Sequence, residues 1–305
     1  MPDHLGRLIA ALRDDGVRFF VHVDRKVPIE PFLVHRAPDV ELLDDRVPVY
    51  WGQWQMVDAT LRLIDRALEQ TDPDYLVLLS GTCHPIRSNG RIRAVLGAGR
   101  DLFINSIPMP DERLHKPISR LDRYYFRSDR SRIENVLRAA PIVIRGPRTG
   151  RPFSKRWLLT RDWRRDLKLA PYAGSSWWAL PAETARYVLD FAAHETGVVR
   201  FFENTRSPDE GFFQTILANS SFAPAMRRNL TYSDWTAHGS HPATITAAHV
   251  ERFAQPGPVM GRGVYGDGEL CFARKFPDDG GEMTRLVDAV IAAHDDDPQV
   301  PQAKA

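Results

Sequence analysis

The sequence predicts an α/β protein on a doubly wound, mostly parallel mixed sheet. Two observations predict it. Short β-rich apolar runs, "VRFFVHV" (17–23), "YLVLLS" (75–80) and "DLFINS" (101–106), are separated by stretches of helical spacing. Strands that alternate with helices build parallel sheets covered on both faces. The length, 305 residues, suits one large domain or two small ones.

The elements follow in order. "HLGRLIAALRDDG" spaces Leu5, Leu8, Ile9 and Leu12 as a helix does, with Gly16 as the stop. The run 17–23 is a buried strand, and "VPVYWG" (47–52) is a short extended piece. "QWQMVDATLRLIDRALEQ" (53–70) is a long amphipathic helix. Strand 75–80 leads through "GTCHPIRSN" to the short helix "IRAVLGAG" and strand 101–106. Residues 107–170, rich in Arg, Pro and aromatics and weakly periodic, form a partly helical insertion. "GSSWWALP" (174–181) is a strand, while "AETARYVLDFAAH" and "DEGFFQTILANS" are helices. From Asn219 to Phe276 the chain is loop-rich, with "RNLTYSDW" as a strand, and "MTRLVDAVIAAH" is the closing helix. Residues 295–305 are expected to be a disordered tail. A domain of this type normally starts with a strand, and this chain starts on a helix. The first strand is therefore expected to be supplied from elsewhere or to lie upstream of Met1.

Composition narrows the function classes. The formal charge is +2, with no basic stripe, so nothing argues for a nucleic-acid partner. Cys83 and Cys271 lie in no CxxC pair, so zinc and redox motifs are missing. No apolar run approaches the ~20 residues of a membrane helix. "MPDHLGRLIAALRDDG" contains acids and no continuous apolar core, unlike a secretory signal. A cytoplasmic location is the default expectation, with peripheral membrane attachment left open.

Ligands of such sheets bind beyond the carboxyl ends of strands. "HVDRK" (22–26) puts His22, Asp24 and Lys26 there, as a solvated turn or as a nucleotide contact. "YWGQWQ" (50–55) gathers aromatics for the core or for stacking on a base or sugar. "FARKF" (272–276) sets Arg274 and Lys275 in an apolar frame, suited to neutralising a diphosphate or to a basic turn. In "SPDEGFFQT" (207–215), Ser207 reads as an N-cap, Pro208 as the first helical residue and Glu210 as the third position of a capping box. Asp209 and Glu210 also complement the helix dipole. A cap explains every residue there; the functional alternative makes Glu210 an ionised base facing a cleft. Neighbours on a helix do not face each other, so the two acids are not a glycosidase pair, whose carboxyls stand ~5–9 Å apart.

No metal motif stands out. "DPD" (72–74) precedes its strand, "DGE" (267–269) lies in a Gly-rich loop, and His22 with Asp24 is too little for a metal. A metal-dependent hydrolase using His22, Asp24 and His84 has little support. Neither GxGxxG nor GxxxxGK[ST] occurs.

Taken in order, "FFVHVDRK", "VYWGQWQMVDATLRLIDRAL", "DYLVLLSGTCHPIRS", "GSSWWALPAETARYVLDF", "SPDEGFFQTILANS", "TYSDW" and "FARKF" resemble the core-2/I-branching enzyme family of β-1,6-N-acetylglucosaminyltransferases and peptide O-xylosyltransferases. They span residues 17–276. The resemblance implies a GT-A-like single domain over 1–294, with a nucleotide-binding half (1–106), the insertion (107–170) and an acceptor and catalytic half (171–294). It implies an inverting, metal-independent transferase with a UDP-sugar donor, a carbohydrate or other hydroxyl-bearing acceptor, and no cofactor. It makes Glu210 the catalytic base, places Lys275 with Arg274 on the diphosphate and Asp24 on the nucleotide, and lines the acceptor site with Trp235. Arg120 and Arg123 are added as acceptor candidates. Where relatives carry Asp in the "SGxDxP" loop, this chain has Cys83. The rival reading is a non-catalytic nucleotide- or sugar-binding relative.

Overall fold

The computed structural model describes residues 1–131, 134, 160–236 and 241–295. Helix α1 (Pro2–Leu12) buries His4, Leu8 and Ile9 on one face, and β1 (Phe19–Val21) follows. It pairs in parallel with β2 (Val40–Leu42). Helix α2 (Gln55–Gln70) buries Val57, Thr60, Ile64 and Ala67, a stripe at helical spacing. Next come β3 (Tyr75–Leu78), β4 (His84–Pro85), α3 (Asn89–Gly97) and β5 (Leu102–Ile104). The hydroxyl of Ser88 caps α3 by accepting from the Arg91 amide.

The insertion expected over 107–170 is described only in part, since 132–133 and 135–159 lie outside the described residues. Its described portion holds β6 (Ile107–Pro108), α4 (Ser119–Asp122) and α5 (Trp163–Leu167). Beyond it run β7 (Tyr172–Ala173), β8 (Trp178–Pro181), α6 (Ala182–His194), α7 (Thr196–Phe202) and α8 (Phe212–Ala218). The stretch expected to be loop-rich contains β9 (Met226–Arg227), β10 (Thr231–Ser233), α9 (Ala247–Phe253), the hairpin of β11 (Met260–Gly261) and β12 (Gly268–Glu269), and β13 (Phe272–Arg274). Helix α10 (Glu282–Asp295) closes the described chain, started by the Asp279 carboxylate, which accepts from three successive amides at 281–283. The tail predicted to be disordered, 296–305, lies outside the described residues.

The class is mixed α/β, but the sheet is not mostly parallel. The four-stranded sheet runs β3–β8–β5–β9, and β8 is antiparallel to both neighbours. Only β5 with β9 is parallel there. The physical reason is β8. It follows the long segment 107–170 and enters the gap between β3 and β5 running opposite to both. A second sheet, β10–β13–β4, ends at Arg274.

The 47–52 piece joins no strand. The His22 ring accepts from the Val47 amide (2.9 Å) and the Asp24 carboxylate accepts from the Val49 amide (3.2 Å). Side chains at the end of β1 therefore stand in for a ladder. The main core joins α2, the four-stranded sheet and α6–α8. Its rings stack edge to face from Trp54 to Phe212 (5.2 Å) and Phe212 to Phe202 (5.5 Å), with Trp178 tilted on Phe213 (5.5 Å). This aromatic block anchors the residues just after 207–210.

Candidate active site

The segment 207–210 is not a capping box. Ser207 sits at φ +51°, its side chain caps nothing, and its amide donates to the Gly52 carbonyl (2.8 Å). Pro208–Glu210 is a single 3-10 turn, broken from α8 at Gly211, so the helix expected from Asp209 onward starts only at Phe212. The turn is held from outside. Gly52 reaches it at φ +68°, a left-handed position suited to glycine, and the Gly174 amide donates to the Glu210 carbonyl (2.8 Å).

The Glu210 carboxylate points away from its own backbone into a cleft lined by Arg120, Leu121, Tyr172, Phe202, Arg206 and Glu210 itself, among others. Its Oε2 accepts from Lys116 Nζ (2.5 Å) and from Arg120 Nη1 (2.6 Å). Both cations use that one oxygen, so Oε1 has no protein donor among the described residues. Burial works against the charge on Glu210, but Lys116 and Arg120 outweigh it and hold the carboxyl below its ordinary range. Burial in turn pulls Lys116 down, against the pull of Glu210. Lys116 also donates to the Gly174 carbonyl (2.8 Å).

Asp209, expected as a helix-dipole partner, is tied to a side chain of another loop. It is buried and accepts from the Ser176 hydroxyl (2.6 Å), and among the described residues its Oδ1 has no partner. Burial, with the Glu210 charge beside it, pushes its carboxyl up to about 6.

The loop 174–177, "GSSW", joins this acid pair to the second sheet. Gly174 is jammed on the Asn105 backbone; a Cβ there would sit 1.7 Å from the carbonyl oxygen. The Asn229 amide group donates to Ser175 Oγ (2.8 Å) and more weakly to the Trp177 carbonyl (3.3 Å). The ring of Trp177 lies 4.5 Å from the Arg274 guanidinium carbon. Arg274 is largely buried at the end of β13, its Nε has no acceptor among the described residues, and burial lowers its pKa against a side-chain hydrogen bond with Cys83. Neither Arg274 nor Lys275 has a carboxylate partner among the described residues. The Lys275 carbonyl accepts from the Ile245 amide (2.8 Å).

Asp24 lies at the end of β1, where Lys26 bridges its carboxylate (3.5 Å) and the Tyr50 ring (4.2 Å). Trp235 is 54% exposed just beyond β10. Its neighbour Asp234 accepts from His249 (3.0 Å). Arg120 is drawn into the Glu210 pair. Arg123 is exposed, and its backbone bridges Thr160. Of the 50–55 aromatics, Trp54 is core while Trp51 is exposed beside His241. Glu269 of the "DGE" stretch is taken by Arg91 and Asp72 of "DPD" by Arg186. His84 is fully buried on Asp288, and among the described residues no three ligand side chains group for a metal, so His22, Asp24 and His84 form no centre. Cys83 is also fully buried, touching Ser80, and burial raises its thiol.

Sequence reasoning missed Lys116, Ser176 and Trp177. Lys116 lies in a stretch without periodicity, and nothing local marks it. The hydroxyl and indole of "GSSW" were readable only as parts of a strand.

A model of the Core-2/I-Branching enzyme family matches residues 3–254. The chain belongs to the Core-2/I-Branching enzyme family. Within curated proteins it is similar to Xylosyltransferase 1 of Rattus norvegicus, 26% identical over 245 residues, which is 76% of this chain and 26% of that protein. Xylosyltransferase 1 of Homo sapiens is 26% identical over 241 residues, covering 76% of this chain and 22% of the human protein. Xylosyltransferase 2 of Rattus norvegicus is 25% identical over 244 residues, at 76% and 25%. This family member thus spans about a quarter of the length of the curated relatives it matches. Among the described residues, no helix is long and apolar enough to cross a membrane.

Proposed function

We propose that this chain is an inverting, metal-independent glycosyltransferase that moves xylose or GlcNAc from a UDP-sugar to an acceptor hydroxyl. Membership of the family supports a sugar donor and acceptor, and the names of the relatives make UDP-xylose the first donor to test. One observation carries the reading. A carboxylate held ionised by two cations, with no donor to its second oxygen among the described residues, is tied through the loop 174–177 to Arg274, which has no carboxylate partner among the described residues.

The chemistry follows from that arrangement. The acceptor hydroxyl donates to Glu210 Oε1 and attacks the anomeric carbon from the face opposite the leaving group. The carbon–oxygen bond to UDP breaks as the new glycosidic bond forms, and the hydroxyl proton ends on Glu210. Lys116 and Arg120 keep Glu210 ionised before the reaction. Negative charge growing on the departing diphosphate is met by Arg274 and Lys275, the task a metal performs elsewhere. Asp24 takes the nucleotide and Trp235 stacks on the acceptor.

The test is UDP release with UDP-xylose and UDP-GlcNAc in the presence of EDTA. Turnover should survive the chelator. Glu210→Gln should lower it by ~10²–10⁴-fold with UDP affinity kept. Full activity in that variant would remove Glu210 as the base, and loss of turnover in EDTA would remove metal independence.

A further inference from the structure

We propose that Trp177 is a positioning residue, holding the Arg274 guanidinium over its indole so that this cation meets a diphosphate at a distance from Glu210 fixed by the 174–177 loop. The inference rests on the glycosyltransferase reading and names a residue that reading does not use.

Four observations carry it. Arg274 has no carboxylate partner among the described residues and an Nε with no acceptor, so no ion pair orients the guanidinium. Two groups at close range can orient it, the buried Cys83 thiol, which hydrogen-bonds it, and the Trp177 ring, at 4.5 Å; only the ring offers its guanidinium a face. An aromatic face attracts a guanidinium without consuming its charge, whereas a carboxylate would neutralise it. An anchor for an anion needs the first arrangement.

Trp177 is itself fixed. Its carbonyl is held by Asn229 (3.3 Å), and the Asn229 amide is held by the Asn105 side chain (2.9 Å). The residues just before it are pinned to the acid pair: Ser176 to Asp209, and Gly174 to Glu210 and Lys116. One short loop therefore has the base at one end and the Arg274 cation at the other. Gly174 cannot slide, because it lies against Asn105. Exchanging the indole while keeping the loop should misplace the cation and leave the base alone.

The experiment is calorimetry with three probes, UDP, inorganic pyrophosphate and uridine, on the wild type and on Trp177→Phe and Trp177→Leu. Leu keeps apolar bulk without a π face; Phe keeps a face. For UDP and pyrophosphate we expect a loss of about tenfold or more in Trp177→Leu, the size of a desolvated cation–π contact, and most of the affinity regained in Trp177→Phe. Uridine, which carries no phosphate, should bind all three proteins alike. Equal UDP affinity in Trp177→Leu and wild type would overturn the proposal. So would a parallel fall in uridine affinity, which would mark general damage to the loop. A wild type that binds neither UDP nor pyrophosphate would sink the donor reading itself, a result distinct from either of those.

Discussion

Lys116 and Arg120 converge on one carboxylate, whereas Arg274 and Lys275 have none among the described residues. Both pairs of cations are at least partly withdrawn from water. A charge removed from water and left alone is costly, and a partner offsets much of that cost. The first pair is complete in the resting protein, so it builds structure and sets the charge state of Glu210. The second has no such partner among the described residues, and under the proposed function a diphosphate would supply it. The difference separates cations already paired in the fold from cations left for a ligand in that proposal, although both groups are basic.

The largest effect should come from breaking the link between the two regions. Gly174→Ala forces a side chain against the Asn105 carbonyl and disturbs the bonds to Glu210 and Lys116. About 3 kcal/mol or more of stability should be lost in urea denaturation, with UDP affinity falling too. A variant with native stability would show that the loop is not rigid.

The comparison is sharpened by single charges. Arg274→Ala should weaken UDP about 10–100-fold by calorimetry, the value of a charge-assisted contact, while changing stability by less than about 1 kcal/mol. Lys116→Met should do the reverse. It removes a buried partner of Glu210 at a cost of about 1–3 kcal/mol, with UDP affinity kept within about threefold. If both variants lost stability and affinity in similar measure, the division between built and waiting cations would fail.

The smallest effect concerns pH. The Asp209 carboxyl is raised from 3.8 to about 6, so the stability it contributes is full below its unfolded value and is lost as pH rises through about 6. Asp209→Asn, which can still accept from Ser176, should match the wild type near pH 4. It should melt higher at pH 8, by an amount on the order of 1–3 kcal/mol. Glu210 is shifted downward, so its contribution is present above its unfolded value and disappears as pH falls. Relative to wild type, Asp209→Asn should therefore change its stability between about pH 4 and pH 6, and Glu210→Gln only as pH falls below the unfolded glutamate value of 4.5. Parallel curves would contradict the assignment of different environments to these neighbours.

Much of the fold was legible. Helices such as Gln55–Gln70 and Ala182–His194 follow from apolar spacing, and strands such as Tyr75–Leu78 from short apolar runs. Helices Thr196–Phe202 and Ala247–Phe253 were not, because seven residues give too few turns for a clear period. The antiparallel placing of Trp178–Pro181 was also hidden. A strand's own residues do not say which neighbours it enters between.

By itself the sequence determined the local alphabet: which of the longer runs are helix or strand, and that acidic and basic motifs exist at 209–210 and 274–275. Only the tertiary structure decided what those motifs do. It turned Glu210 away from the Ser207 amide toward Lys116, 94 residues earlier, and it buried Asp209 on Ser176. The physical reason is that a capping box is a local alternative of about 1 kcal/mol. A half-buried carboxylate between two cations is a larger, non-local electrostatic demand. Its partners lie far apart in the chain, so no window of sequence contains them.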